Sequence, residues 1–137
     1  MVEINNKTKT KIPEKFLLNT VKKFLKYYQK ENHEVSIAFV GDAAMRDLNL
    51  KYRKKIGPTD VLSFSGEGKF LGEIIIDCAQ IKRQAKMARK NFLEELVFIL
   101  IHGLLHLIGY SDKTEKGARE MEVLGEKFIS RLSAFKI

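Results

Sequence analysis

The chain has one cysteine, Cys78, among its 137 residues. A single thiol leaves no disulfide framework, which argues against a secreted fold stapled by bridges. No apolar run is long enough to cross a bilayer. The longest, Phe92 to Ile108, is interrupted by Glu94, Glu95, His102 and His106. No basic stretch followed by an apolar one opens the sequence, so no leader is expected and the protein is expected in the cytoplasm, off the membrane. Internal repeats and low-complexity segments are absent as well. At 137 residues and 45% hydrophobic, the chain suits one domain with its own core, spanning residues 1–137.

Acidic residues are scarce in particular places. The chain carries 25 Lys+Arg against 17 Asp+Glu, a net charge of +8. No acid lies between Cys78 and Lys90, where Lys82, Arg83, Lys86, Arg89 and Lys90 cluster. Lys7, Lys9, Lys11, Lys15, Lys22, Lys23, Lys26 and Lys30 enrich the start. Such an excess attracts polyanions, although a solvated basic surface would look the same from composition alone.

The hydrophobic pattern predicts the elements. Val2 to Asn6 alternates as an edge strand would. From Pro13-Glu14 to about Asn32, Phe16, Leu17, Val21, Phe24, Leu25 and Tyr28 form one helical stripe. Glu34 to Val40 is β-branched and aromatic, a strand. Asp42 is the expected cap of a helix with Met45, Leu48 and Tyr52 inward. Asp60–Phe64 and Leu71–Asp77 are strands joined through Gly66 and Gly68, as a hairpin or as neighbours in one sheet. Helices follow over about Cys78–Lys90 and Phe92–Ile108, and Thr114 is placed to cap a last helix with Met121, Leu124, Phe128 and Leu132 inward. Strands first and helices after suggest an α+β layer fold.

The chain has only three histidines, and two of them fall in H-G-L-L-H-L-I-G-Y-S-D, His102 to Asp112. His102 and His106 share one helical face, about 6 Å apart along the axis, a spacing at which two imidazoles can meet one metal ion. Gly109 is placed to end the helix with positive φ, and Asp112 can then bring an oxygen to the same ion. Two nitrogens and a carboxylate leave a fourth position open, the catalytic pattern for zinc. The offsets are those of the metzincins. In H-E-x-x-H peptidases the residue after the first histidine is the general base. Here it is Gly103, so a peptidase is disfavoured. The third histidine, His33, precedes a strand in polar context and is expected in an exposed loop.

These residues and four further stretches resemble a known family. H-G-L-L-H-L-I-G-Y resembles the signature of the YbeY family of bacterial rRNA maturation factors, which are metal-dependent single-strand endoribonucleases. L-N-L-K-Y-R (Leu48 to Arg53), P-T-D-V-L-S-F (Pro58 to Phe64), L-G-E-I-I-I (Leu71 to Ile76) and E-M-E (Glu120 to Glu122) match family segments in the same order. The resemblance spans about Val2 to Leu132. It implies a mixed sheet of about four strands packed against about five helices, zincin-like, with the metal site at the end of a long helix. It implies one Zn2+ per chain, or another divalent metal, on His102 and His106. It implies that Arg53 binds or orients the RNA phosphate, and a role in 16S rRNA maturation and small-subunit quality control.

One departure concerns the third ligand. The family has a histidine ten residues after the first, whereas this chain has Asp112 there. A one-residue insertion would instead put Lys113 in that place, and a lysine would not ligate. The preserved offset favours Asp112. An anionic ligand should leave bound water less acidic than a third imidazole would, and shift preference toward harder ions.

The expected reaction is hydrolysis of single-stranded RNA, with Asp60 and Ser63 lining the cleft. Lys82, Arg83 and Lys86, together with the first helix, would guide the backbone. No RRM or KH signature is present, so reading of the bases should be loose. Two rivals share parts of the pattern. A 2-His-1-carboxylate iron oxygenase has the same ligands but wants a β-rich barrel. A ribosome-binding module with a structural metal would want a closed fourth position.

Overall fold

The computed structural model describes residues 1–132. The strands are β1 (Val2–Asn6), β2 (Glu34–Val40), β3 (Val61–Ser65) and β4 (Phe70–Asp77). The helices are α1 (Glu14–Tyr27), α2 (Asp42–Arg53), α3 (Cys78–Ala88), α4 (Phe92–Leu107) and α5 (Glu115–Ile129). The sheet runs β1-β2-β4-β3, parallel except for β3, which pairs antiparallel with β4 as a hairpin. This is the expected α+β fold, a mixed four-stranded sheet with five helices. No helix among the described residues is long and apolar enough to cross a membrane.

Strand alternation divides the core. Val35, Ile37 and Phe39 of β2, with Ile74 and Ile76 of β4, face the cluster that receives α1, α3, α4 and α5. Ala38, Val40 and Ile75 face the other side, where Met45 and Leu48 of α2 cover them with Leu62 and Phe64 of β3. Period two therefore puts four helices on one face and α2 alone on the other.

Three expectations need correction. α1 stops at Tyr27, not near Asn32. Gln29 takes φ +58 and Lys30 N–H donates to Leu25 O at 2.6 Å, a reversal made without a glycine to mark it. Asp42 is not the cap of α2. Gly41 holds that position, and the Asp42 carboxylate instead takes both Arg83 amino groups, at 2.9 and 2.8 Å. Tyr52 lies on the inner stripe but at the far end of α2. There it meets Phe64 of the edge strand rather than the core, and it stays 54% exposed. The Thr114 cap is present, its hydroxyl accepting from Gly117 N–H at 2.9 Å.

Asp77 caps α3, accepting from Ala79 N–H and Gln80 N–H at 3.0 and 3.3 Å. It is fully buried, and its other oxygen faces the Asp42 carboxylate. Burial first, and the neighbouring carboxylate second, push its pKa up to about 6. Asp42 goes the other way, held far below the ordinary carboxylate range chiefly by Arg83. The folded state thus favours protonated Asp77. Between the ordinary value of 3.8 and about 6 it binds more protons than the unfolded chain does, so stability rises as pH falls across that window. Asp77→Asn keeps the capping oxygen and offers an N–H to Asp42. Its melting temperature is expected to gain on the wild type above pH 6, and this advantage should shrink steadily toward pH 4. A constant difference between the two melting curves over that range would show that Asp77 is ionised throughout.

Candidate metal centre and its cleft

α4 is buried nearly all round. Ile101, Gly103, Leu104, Leu105 and Leu107 are inside, while His102 and His106 look out with side chains 25% and 29% exposed. The helix begins with a capping box between Asn91 and Glu94. It ends in a Schellman reversal. Gly109 takes φ +110 and donates to His106 O at 3.1 Å, and Tyr110 N–H donates to Leu105 O at 3.0 Å. The turn carries Tyr110 O to within 3.1 Å of His106 Nδ1. A carbonyl only accepts, so this contact puts the ring proton on Nδ1 and leaves the Nε2 lone pair free.

Two residues on, Asp112 reaches back. Its Oδ2 lies 3.3 Å from His102 Nε2 and 3.5 Å from His106 Nε2. One ligand atom from each of the three residues falls within 4.8 Å of the others. Metal–ligand bonds of about 2.0–2.2 Å in a tetrahedron set donor atoms ~3.3–3.6 Å apart, which both Asp112 separations match. The donor set therefore suits one divalent ion, with further positions open to the cleft. Burial works against the Asp112 charge, but His106 and His102 outweigh it and hold the carboxyl below its ordinary range. Lys113 lines the cleft beside the cluster.

Gly103 explains how closely α4 sits on the sheet. A Cβ there would come 3.1 Å from Ile74 Cγ2 and 3.3 Å from Ser63 Oγ. The place of the peptidase glutamate therefore abuts the strands, and even a methyl there would need Ile74 or Ser63 to give by a few tenths of an ångström, with a glutamate needing far more. Ser63 Oγ is 3.4 Å from Gly103 O.

The cleft holds about 1020 Å³. Of the residues expected from sequence, it brings together Arg53, Asp60, Ser63, His102, His106 and Asp112. Arg53, at the end of α2, is exposed and makes no ion pair among the described residues. Asp60 accepts from Gln84 Nε2 at 3.3 Å, and the same amide donates to Glu95 Oε2 at 3.0 Å. Glu95 is buried and paired with Lys90 at 3.2 Å. Asn49, also buried, donates to Gly57 O at 2.8 Å and so braces the loop leading to Asp60. Gln84, Glu95 and Asn49 were missed. Their one sequence signal was a polar residue among apolar ones, visible at Asn49 and Glu95. Tyr52, Phe64, Phe98 and Glu122 also line the cleft.

Lys82, Arg83 and Lys86 do not line it. Arg83 is held by Asp42, and Lys82 donates to Thr10 Oγ1 at 2.9 Å. They sit on the exposed side of α3, whose inner side, Ile81 and Ala85, packs into the molecule. His33 is half-buried in the turn before β2 rather than exposed, with no partner for Nδ1.

Comparison with known proteins places these features. The family model described as Endoribonuclease YbeY matches residues 3–133. A protein of that name from Thermodesulfovibrio yellowstonii is 37% identical, covering 94% of each chain. One from Petrotoga mobilis is 38% identical over 95% of this chain and 87% of its own. One from Geobacillus thermodenitrificans is 40% identical over 74% of each. The solution structure of TM1509 from Thermotoga maritima superposes with a TM-score of 0.67 at 28% identity, covering 95% of this chain and 87% of that one. With the family model matched over nearly its whole length and the motif histidines gathered on one cleft, the chain belongs to the YbeY family.

Proposed function

We propose that this chain is a metal-dependent endoribonuclease that hydrolyses phosphodiester bonds in single-stranded RNA. Its target would be the 16S rRNA precursor on the small ribosomal subunit, in the cytoplasm. The observation that carries the reading is the convergence of His102 Nε2, His106 Nε2 and Asp112 Oδ2, at 3.3 and 3.5 Å, in a wide cleft beside Arg53, which makes no ion pair among the described residues. Relatives named endoribonucleases support the reaction class, and the +8 charge suits a polyanion. The iron-oxygenase and structural-metal readings are not favoured, because the relatives are nucleases by name and the donor set opens onto the cleft. Residues 1–137 would work as one domain.

One Zn2+ per chain, or another divalent ion, would be held by the two Nε2 atoms and Asp112. Bound there, it would supply an acidified water and positive charge for the phosphoryl oxygens. The chain supplies the rest. Tyr110 O fixes the His106 tautomer. The Arg53 guanidinium holds the phosphate through paired N–H donors, a geometry that a lysine cannot match. Gly103 offers no base, so proton transfer falls to cleft carboxylates outside the donor set. Asp60, steadied by Gln84, and Glu122 are those present.

Purified protein should contain about one divalent ion per chain. His102→Ala and His106→Ala should each abolish it, and Asp112→Ala should weaken retention ~10-fold or more, whereas Asp112→His should keep the metal. Elemental analysis after dialysis reads all four, and wild-type metal content in both histidine variants would remove the site. Arg53→Ala should keep metal content and melting temperature. It should cut single-stranded RNA cleavage by ~10²-fold or more, and Arg53→Lys should recover little of that loss. Full cleavage by Arg53→Ala at low RNA concentration would refute its role, since lost binding and lost catalysis both register there.

A further inference from the structure

Eight large hydrophobic side chains are exposed among the described residues, and only one of them, Tyr52, lines the cleft. Tyr52 is 54% exposed where α2 ends. The ring is also braced. Phe64 meets it in a tilted T at 5.1 Å between centroids and 68° between planes. Phe64 itself packs into the core under α2. Lys51 Nζ lies 5.2 Å from the Tyr52 centroid, and Arg53 follows directly in the chain and lines the same cleft.

An aromatic ring with one cation beside it and another lining the same cleft suits a ligand that is flat and apolar in one part and anionic in the next. A nucleotide is such a ligand. The cleft, about 1020 Å³, stands at the top of the ~300–1,000 Å³ range that holds a drug-sized molecule, so it has room for a phosphate and its base together. We infer that Tyr52, braced by Phe64, is a stacking platform for one unpaired nucleobase next to the phosphate held by Arg53. The inference rests on the nuclease reading above and assigns it a base subsite. A base inside a duplex has both faces covered by its neighbours and cannot lie on Tyr52, whereas a splayed base can. The subsite thus selects single-stranded over paired RNA at the bound nucleotide. Every base has a π-face, so the selection is for strandedness and not for sequence.

Binding of a nuclease-resistant phosphorothioate single-stranded RNA tests this without relying on cleavage. The Kd of Tyr52→Ala should rise at least ~5-fold, the low end of what one base–aromatic stack contributes by alanine substitution, while Tyr52→Phe should stay near wild type. Oligomers carrying one abasic nucleotide, moved along the strand, add the deciding arm. At one position the abasic oligomer should bind wild type as weakly as the intact oligomer binds Tyr52→Ala, and there the two losses should not add. A melting temperature near wild type for Tyr52→Ala shows that the fold is intact. Equal Kd for wild type and Tyr52→Ala, or losses that add at every abasic position, overturns the platform, as does failure of wild type to bind the RNA. Cleavage of unmodified RNA, assayed separately, tests the nuclease reading. Stacking without cleavage leaves the platform and removes the nuclease, and cleavage with no Tyr52 effect does the reverse.

Discussion

The burial of α4 is the constraint on which the cleft depends. Ten of its sixteen residues are inside, against β3, β4, α3 and α5. Each fully buried Leu or Ile contributes roughly 1.5–3 kcal/mol, whereas a single polar contact nets only about 0.5–1.5 kcal/mol. The helix therefore cannot roll or slide to satisfy its histidines. The histidines must sit where packing puts them, and the rest of the cluster must come to them. Gly103 tightens this frame, because its missing side chain lets α4 approach Ile74 and Ser63. Two imidazoles thus face the cleft on a rigid element, which is where a preorganised ligand pair belongs.

The reversal after α4 then does the approaching. Its two closing hydrogen bonds, from Gly109 and Tyr110, satisfy carbonyls that a helix end leaves open. The same turn delivers a tautomer-fixing carbonyl to His106 and a carboxylate to both rings. A local device of backbone chemistry thereby gathers three side chains that could hold a metal ion. Asp112 brings a full negative charge into the donor set. In the proposed site that charge would offset half of a divalent ion's, favouring orientation of phosphate over acidification of water.

Much of this was legible from residues alone, for a physical reason. Strand alternation, helical stripes, the Thr114 cap and the Gly109 stop are local, and each announces itself within a few positions. The His102–His106–Asp112 set was legible because its three members lie within one turn of helix and one reversal. Interactions that close across the fold left no such trace. Nothing near Asp42 says that it will be taken by Arg83, forty-one residues away. Nothing near Gln84 says that it will join Asp60 to Glu95. Tyr52 had the right helical phase to be inward. Only the position of the sheet edge decides that its end of α2 overhangs the cleft. The non-glycine reversals at Gln29 and Arg89 escaped because neither residue type signals positive φ.

The distribution of charge separates attraction from chemistry. The acid-free run over α3 suggested an RNA track, yet Arg83 is neutralised by Asp42, and Lys82 and Lys86 lie outside the cleft. Cations within the cleft are few, chiefly Arg53 and Lys113. Most of the +8 net charge therefore acts at a distance. Screening limits such action to about 10 Å at 0.1 M salt, so the basic surface raises the local concentration of RNA without fixing its register. Register has to come from short-range contacts in the cleft: a forked cation for one phosphate, a donor cluster for the next group, and an aromatic face for a base. The first two would engage a phosphate from any strand. Only the third depends on whether the base is already stacked, so discrimination between paired and unpaired RNA is concentrated at Tyr52, the exposed aromatic ring of the cleft.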